Sequence, residues 1–360
     1  MNGNRDMDIE TEKHMRKIAL LFSFAGMIVF GLLGTGALVL FGGNAVFAGL
    51  SVFPRTEERF PERVAGVSVG IDSPVIEEQR SVASEFRPIR KANTWNFSVP
   101  TAHAAILVDV ATEIPLYEKD ADERRSIASI TKLFTAMIVV EETKDLDEPV
   151  TIDEEAVRAE GTRIGCPRSG YCPGVRLQIG EKIAVGELLK AALMNSANDS
   201  AIALAKHVSG SQEAFAKKMN ARAKELGAMN SNFCTPSGLE LDGREEECYS
   251  TARDISKIAM AALEYDVLWK IMRLEKADIA SADGKYVHEI FNTNELLGQY
   301  PALIGTKTGF TPRAGYSLLA VAGDPIDKNH RLIAVVLDDV YRWRSIQDMF
   351  SWGFASFEWR

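Results

Sequence analysis

The chain has 360 residues, 46 % of them hydrophobic, with 41 Lys and Arg against 50 Asp and Glu and a net charge of −9. That composition excludes a disordered or fibrous chain and suffices for one large domain or two modest ones. No basic stripe is available to neutralise phosphates, so nucleic acid is not expected as a partner.

Residues 18–43 open a stretch that lacks any charge from Ile18 to Pro54. It exceeds the ~20 apolar residues that cross a bilayer. A transmembrane helix is therefore expected, with a cleaved secretory signal ending at Ala48 as the alternative. Lys13, Arg16 and Lys17 precede it and the next basic residue is Arg55, so residues 1–17 are expected in the cytoplasm and the rest outside. Residues 44–101 read as an extracytoplasmic spacer: 51–100 hold five of the 13 prolines, many charges and no sustained period.

From 102 to 360 the texture is that of a folded domain. "AAILVDV" and "IPLYEK", broken at Thr112 and Glu113, predict a hairpin. Apolar spacing predicts a helix over 129–142, and further helices at "VGELLKAAL" and "AIALAKHV" on either side of "MNSANDS". Ser211 is placed to N-cap "QEAFAKKMNARAKEL", where Phe215, Met219 and Leu226 share a face, and Gly227 to end it. "YSLLAVAG" and "RLIAVVLDD" predict two strands, and Trp343, Ile346, Phe350, Phe354 and Phe357 a closing amphipathic helix. Strands at both ends with helices between them imply an α+β domain.

The four cysteines fall into two local groups, and in an exported domain an even count favours disulfides. The expected pairs are Cys166–Cys172 and Cys234–Cys248. A zinc site is disfavoured because no CxxC spacing occurs and no His lies near either group. His103 and His207 read as structural.

Three short motifs carry the candidate chemistry. In "SIASITKLFTAM", Ser129 and Lys132 are three apart, so a helix stacks them within hydrogen-bond reach. A serine hydroxyl needs a base, and a lysine serves as one if burial or nearby positive charge removes its proton. The bland alternative is that Ser126 caps the helix and Lys132 reaches solvent. "NSAND" supplies Ser196 and Asn198, able to hydrogen-bond a lysine or a substrate amide. "GTKTGF", just before an expected edge strand, supplies Lys307 and Thr308 for a carboxylate, and Gly309 for close backbone approach to a ligand. Each motif arises by chance. Their order, with the second 67 and the third 178 residues after Ser129, is far more specific.

That trio is the signature of serine penicillin-binding proteins and related β-lactamases. The chain most resembles the D-alanyl-D-alanine carboxypeptidases among the low-molecular-mass penicillin-binding proteins. The likeness runs through "LQIGEKIAVGELLKAALMNSANDSAIALAKHVSGS", "FAKKMNARAKELG", "STARDISKIA" and "NTNELLGQYPALIGTKTGFTPRAGYSLLAVA". It implies a penicillin-binding/β-lactamase-like domain, an antiparallel sheet flanked by helices. It also implies an acyl-serine cycle on peptidoglycan stem peptides ending in D-Ala-D-Ala, with β-lactam antibiotics as covalent inhibitors and no metal or cofactor.

By the same resemblance Ser129 is the nucleophile, Lys132 its base and Ser196 a proton relay. Asn198 holds the substrate amide and Lys132, Lys307 and Thr308 grip the terminal carboxylate, and the backbone N–H groups of Ser129 and Phe310 form the oxyanion hole. The implied location is a bacterial cell membrane, anchored by one span. Many relatives carry a further β-rich domain and a C-terminal amphipathic helix, for which the roughly 50 residues after Lys307 leave no room. The acidic "CTPSGLELDGREEECYS" and the loop "GCPRSGYC", expected between strands, have no assigned role.

Three other readings stay open. A D,D-endopeptidase shares all three motifs. A class A β-lactamase needs a Glu four residues before an Asn between the second and third motifs, and 199–306 contains none. A non-catalytic penicillin sensor would need a separate partner, since 17 cytoplasmic residues cannot fold alone.

Overall fold

The computed structural model describes residues 87–166, 172–327 and 330–360. The expected span at 18–43, its flanks and most of the spacer lie outside these residues. Among the described residues no helix is long and apolar enough to cross a membrane.

Five antiparallel strands form the central sheet: β2 (Ala104–Asp109), β3 (Pro115–Lys119), β8 (Leu303–Thr311), β9 (Gly315–Gly323) and β10 (Arg331–Leu337), in spatial order β3-β2-β10-β9-β8. The apolar runs in β2, β9 and β10 arise because both faces are covered. Along β2, Ile106 and Val108 enter one core and Ala105 and Leu107 the other, and β10 divides likewise between Ile333, Val335 and Leu332, Ala334. The expected hairpin forms at β2–β3. Its turn is closed by Asp109, whose Oδ2 accepts from Thr112 N at 3.0 Å and Thr112 Oγ1 at 2.7 Å.

The larger core lies between the sheet and a helical layer. This layer contains α1 (Thr131–Glu142), α2 (Glu154–Val157), α3 (Val185–Met194), α4 (Asn198–Ser209), α5 (Gln212–Glu225), α6 (Ala252–Ala262) and α7 (Asp266–Met272). Helix α1 is buried from Thr131 to Val139, as expected for an element surrounded by others. Ser211 caps α5 as predicted, accepting from Ala214 N at 3.1 Å, and Gly227 follows its end at φ +71°. Two small two-stranded antiparallel sheets, β4–β5 (Pro149–Thr151 with Lys182–Ala184) and the hairpin β6–β7 (Lys276–Ala280 with Val287–Phe291), were not predicted.

The closing helix α8 (Arg342–Ser356) covers the opposite face of the sheet. It approaches closely at Gly353, where a Cβ would sit 2.7 Å from Leu332 and 2.8 Å from Leu107. Phe357, expected as its last core residue, instead begins β11 (Phe357–Trp359).

That strand corrects the boundary between spacer and domain. β1 (Pro88–Arg90) pairs antiparallel with β11, Val99 is buried, and Phe97 stacks on Trp352 with centroids 5.0 Å apart. Residues 88–101 thus belong to the folded unit, with the Phe97 ring covering α8. Both expected disulfides form, with Cα–Cα distances of 4.0 Å for Cys166–Cys172 and 5.4 Å for Cys234–Cys248. The first follows α2 and precedes β5, so it does not join two strands.

Candidate active site

Ser129 sits on a 3-10 turn, Ala128–Ile130, that runs directly into α1. The predicted helix over 129–142 therefore starts two residues late, yet the one-turn stacking survives: Lys132 Nζ lies 2.8 Å from Ser129 Oγ. Ala128, just before Ser129, has φ +47°, and Ser196 has φ +60°. Such strained non-glycine residues concentrate where surrounding contacts hold them for function.

Lys132 is completely buried, which removes the reading in which it reaches solvent. Nor does Ser126 cap the helix; its hydroxyl donates to Glu240. The second partner of Lys132 is the carbonyl of Ser237, which accepts at 2.7 Å. Burial, reinforced by the nearby Lys307 charge, holds the Lys132 ammonium well below its ordinary pKa, with Asp199 opposing. A neutral amine in this place gives one N–H to Ser237 O and turns its lone pair toward the Ser129 hydroxyl.

Ser196 occupies the link between α3 and α4. Lys307, 1 % exposed, donates to Ser196 Oγ at 3.0 Å and to Thr308 O at 3.1 Å. Its pKa is lowered to about 7, first by burial and then by the Arg342 charge. The Lys307 charge thus acts on Lys132, whereas the cation acting on Lys307 is Arg342.

Lys307, Thr308 and Gly309 lie within edge strand β8 and do not precede it. The glycine also serves a contact within the fold that was not expected. A Cβ at Gly309 would stand 2.5 Å from Ile127 O and 3.2 Å from Ile130 Cγ1, so its absence lets β8 pass against the turn that carries Ser129. Phe310, next along, is 53 % exposed and its ring centroid is 4.6 Å from that of Tyr316.

Asn198 does not hold Lys132. Its Nδ2 donates to Glu160 O at 2.6 Å and its backbone N to Thr162 O at 2.7 Å, tying the start of α4 to the 160–164 segment. Asp199 beside it accepts from Ile164 N at 2.9 Å and Ser200 N at 2.8 Å, and burial pushes its carboxyl up to about 6.

Four contributors escaped the sequence reading. Ser237 acts through its carbonyl, which any residue type supplies. Glu240 reaches Ser126 and Thr311 from the disulfide-bounded loop. Thr293 Oγ1 is 3.2 Å from Thr308 Oγ1, and Arg342 NH1 donates to Gly309 O at 3.3 Å, so a second hydroxyl and a guanidinium join the Lys307 end of the cleft. Of these only the acidic loop left a signal, its composition between two cysteines. Among the described residues no three His, Cys, Asp or Glu side chains come together to hold a metal ion. His103 and His207 pair with Glu123 at 3.0 Å and Glu148 at 2.8 Å.

The arrangement sets two hydroxyl–lysine pairs, Ser129 with Lys132 and Ser196 with Lys307, along a cleft whose far end carries Lys307 and Arg342. Such a cleft can transfer the acyl group of a substrate that ends in a carboxylate.

Residues 92–340 match the family model described as D-alanyl-D-alanine carboxypeptidase. The chain is similar to D-alanyl-D-alanine carboxypeptidase DacF of Bacillus subtilis, 35 % identical over 240 residues, which cover 65 % of this chain and 57 % of that protein. It is also 32 % identical to the D-alanyl-D-alanine endopeptidase of Escherichia coli, over 68 % of this chain and 74 % of that protein. Among solved structures, the D-alanyl-D-alanine carboxypeptidase of Mycobacterium tuberculosis superposes with a TM-score of 0.64 at 29 % identity, covering 74 % of this chain and 96 % of that one. The ampicillin-bound penicillin-binding protein D2 of Listeria monocytogenes gives 0.60 at 28 %, covering 72 % and 100 %. The penicillin-binding-protein fold, an antiparallel sheet with helices, is thereby confirmed.

Proposed function

The chain belongs to the D-alanyl-D-alanine carboxypeptidase family, and from that premise we propose that it is a serine D,D-carboxypeptidase that trims the terminal D-Ala from peptidoglycan stem peptides. The observation that carries this reading is the buried Lys132, its pKa held well below the ordinary value and its Nζ 2.8 Å from Ser129 Oγ, with Lys307 and Ser196 paired beside it.

Ser129 Oγ attacks the carbonyl of the penultimate D-Ala while Lys132 takes its proton. Backbone N–H groups of Ser129 and Phe310 receive the oxyanion, whose charge develops only as the bond forms. Ser196 passes the proton to the leaving amine, the C–N bond breaks, and free D-Ala departs. Lys307 and Thr308, with Thr293 and Arg342 near them, hold the substrate carboxylate. Water then hydrolyses the acyl-serine. A β-lactam enters by the same contacts and leaves Ser129 acylated.

A second reading, D,D-endopeptidase, draws support from the similarity to the Escherichia coli endopeptidase. Incubation with a stem pentapeptide and with cross-linked muropeptide dimers separates the two. Free D-Ala from the pentapeptide with intact dimers supports the carboxypeptidase, and dimers resolved into monomers without D-Ala release contradict it.

Residues 18–43 are further proposed to anchor the domain outside a bacterial cell membrane, on the strength of their uncharged length and the basic residues before them. Intact mass of the membrane-bound protein checks this. Retention of the first 48 residues supports the anchor, and their loss supports a cleaved signal.

A further inference from the structure

Glu240 lies outside all three motifs, on the loop bounded by Cys234 and Cys248. Its Oε1 accepts hydrogen bonds from two hydroxyls, Ser126 Oγ and Thr311 Oγ1, the latter at 2.7 Å. Both donors are nearly buried, Ser126 at 7 % and Thr311 at 9 % exposed. Ser126 precedes Ser129 by one turn of chain, and Thr311 follows Phe310 directly. One carboxylate oxygen therefore ties together the two segments whose backbone N–H groups are assigned to the oxyanion hole.

The same segments already touch at Gly309, where the strand passes against Ile127 O. That contact sets how closely they approach but does not stop β8 from sliding or tilting against the turn. A second tie, on the loop side, removes that freedom. Hydrogen bonds to an ionised acceptor are about twice as strong as neutral ones, which suits a carboxylate to the task. The other link from this loop to β8–β9, Arg313 to Glu246, joins side chains 41 % and 84 % exposed and contributes little in water.

We propose that Glu240 is a positioning residue that sets the separation of the Ser129 and Phe310 N–H groups through Ser126 and Thr311. This rests on the acyl-serine reading above. Glu240 takes no proton and forms no bond with substrate. Acylation and deacylation both pass through a tetrahedral oxyanion at the same place, so a displaced donor pair slows both steps and leaves the carboxylate contacts of Lys307 and Thr308 intact.

The test uses the full chain and three variants, Glu240→Ala, Glu240→Gln and Ser126→Ala, with the double variant Ser126→Ala/Glu240→Ala. Readouts are the rate of acylation by a penicillin, the rate of adduct release, and kcat and KM on a D-Ala-D-Ala peptide. Loss of the tether is expected to lower both rates by about tenfold or more, because sub-ångström misplacement of reacting groups is costly. KM is expected to change little, and Gln, which keeps a carbonyl oxygen between the two hydroxyls, to restore most of the rate. Ser126→Ala is expected to add nothing to Glu240→Ala, since both cut one tether. If Glu240→Ala does not fold, Ser126→Ala reports on the same tether. A wild type that labels and a Glu240→Ala that labels equally fast overturn the inference alone, as do additive losses or a loss confined to KM. A wild type that forms no adduct overturns the acyl-serine reading and this inference together.

Discussion

The cleft has two walls that differ in how they work. One is built from the Ala128–Ile130 turn, α1, the α3–α4 link and β8, and presents side chains: Ser129, Lys132, Ser196, Lys307 and Thr308. The other is the loop from Cys234 to Cys248, and acts through a carbonyl, a glycine and one carboxylate. Ser237 O holds Lys132 at 2.7 Å, Gly238 lies where a Cβ would stand 2.0 Å from Ala128 O, and Glu240 reaches both flanks. In the proposed mechanism the first wall supplies the reacting groups and the second fixes where they point. Damage to the first should abolish the chemistry, whereas damage to the second should weaken it by degrees.

The sharpest break is Lys132→Arg. A guanidinium cannot be deprotonated, so it puts a permanent charge where the neutral amine stood and removes the base. Acylation by penicillin is expected to fall by about a thousandfold or more, on the scale of losing a catalytic base and burying a charge. An Arg variant within tenfold of wild type would show that Lys132 acts as a cation and not as a base.

Gly309→Ala should come next. Its methyl would collide with Ile127 O, forcing β8 away from the nucleophile turn. A loss of about a hundredfold in kcat/KM is expected from that displacement. Unchanged kinetics would mean that the strand and turn are not held as closely as the 2.5 Å contact requires.

Freeing the second wall should cost less. In Cys234→Ser/Cys248→Ser the loop loses a cross-link spanning a sequence separation of 14. Stability is expected to drop by about 3 kcal/mol, and kcat by about tenfold as Ser237 O and Glu240 loosen. Thermal unfolding and turnover measured together check this. A stability loss with full turnover would reduce the loop to a mere cover.

The smallest effect is a pH profile, moderate over a single unit. Lys132 must be neutral and Lys307 charged. The rate kcat/KM is therefore expected to rise as pH climbs through the lowered Lys132 pKa, then to fall as Lys307 loses its proton above about 7. A bound substrate carboxylate favours the charged form of Lys307, so the alkaline limb of kcat should lie higher than that of kcat/KM. A rate still rising beyond pH 10 would contradict the depressed Lys132.

The difference between the walls also decides what the sequence made legible. Side-chain chemistry at fixed helical or strand spacing leaves a motif, so Ser129 with Lys132, Ser196 and Lys307 could be read. The doubly buried strands β2, β9 and β10 and the Ser211 cap were legible because each leaves a local composition. Ser237 left no trace, because a backbone carbonyl is common to all residues. Arg342 sits 33 residues beyond the Gly309 carbonyl it binds, and only folding of α8 against β9 brings them together. The strand at Pro88–Arg90 was masked by its proline-rich surroundings, and its partner at Phe357–Trp359 lies at the other end of the chain. Gly309 was legible as a close-approach residue, but its contact with Ile127 O was not, since spacing alone does not say which backbone comes near.

The most direct test of the central claim is covalent labelling of the purified protein with a fluorescent penicillin, wild type against Ser129→Ala, read by intact mass. One adduct is expected on the wild type and none on the variant. An unlabelled wild type, or an adduct that survives loss of Ser129, would contradict it.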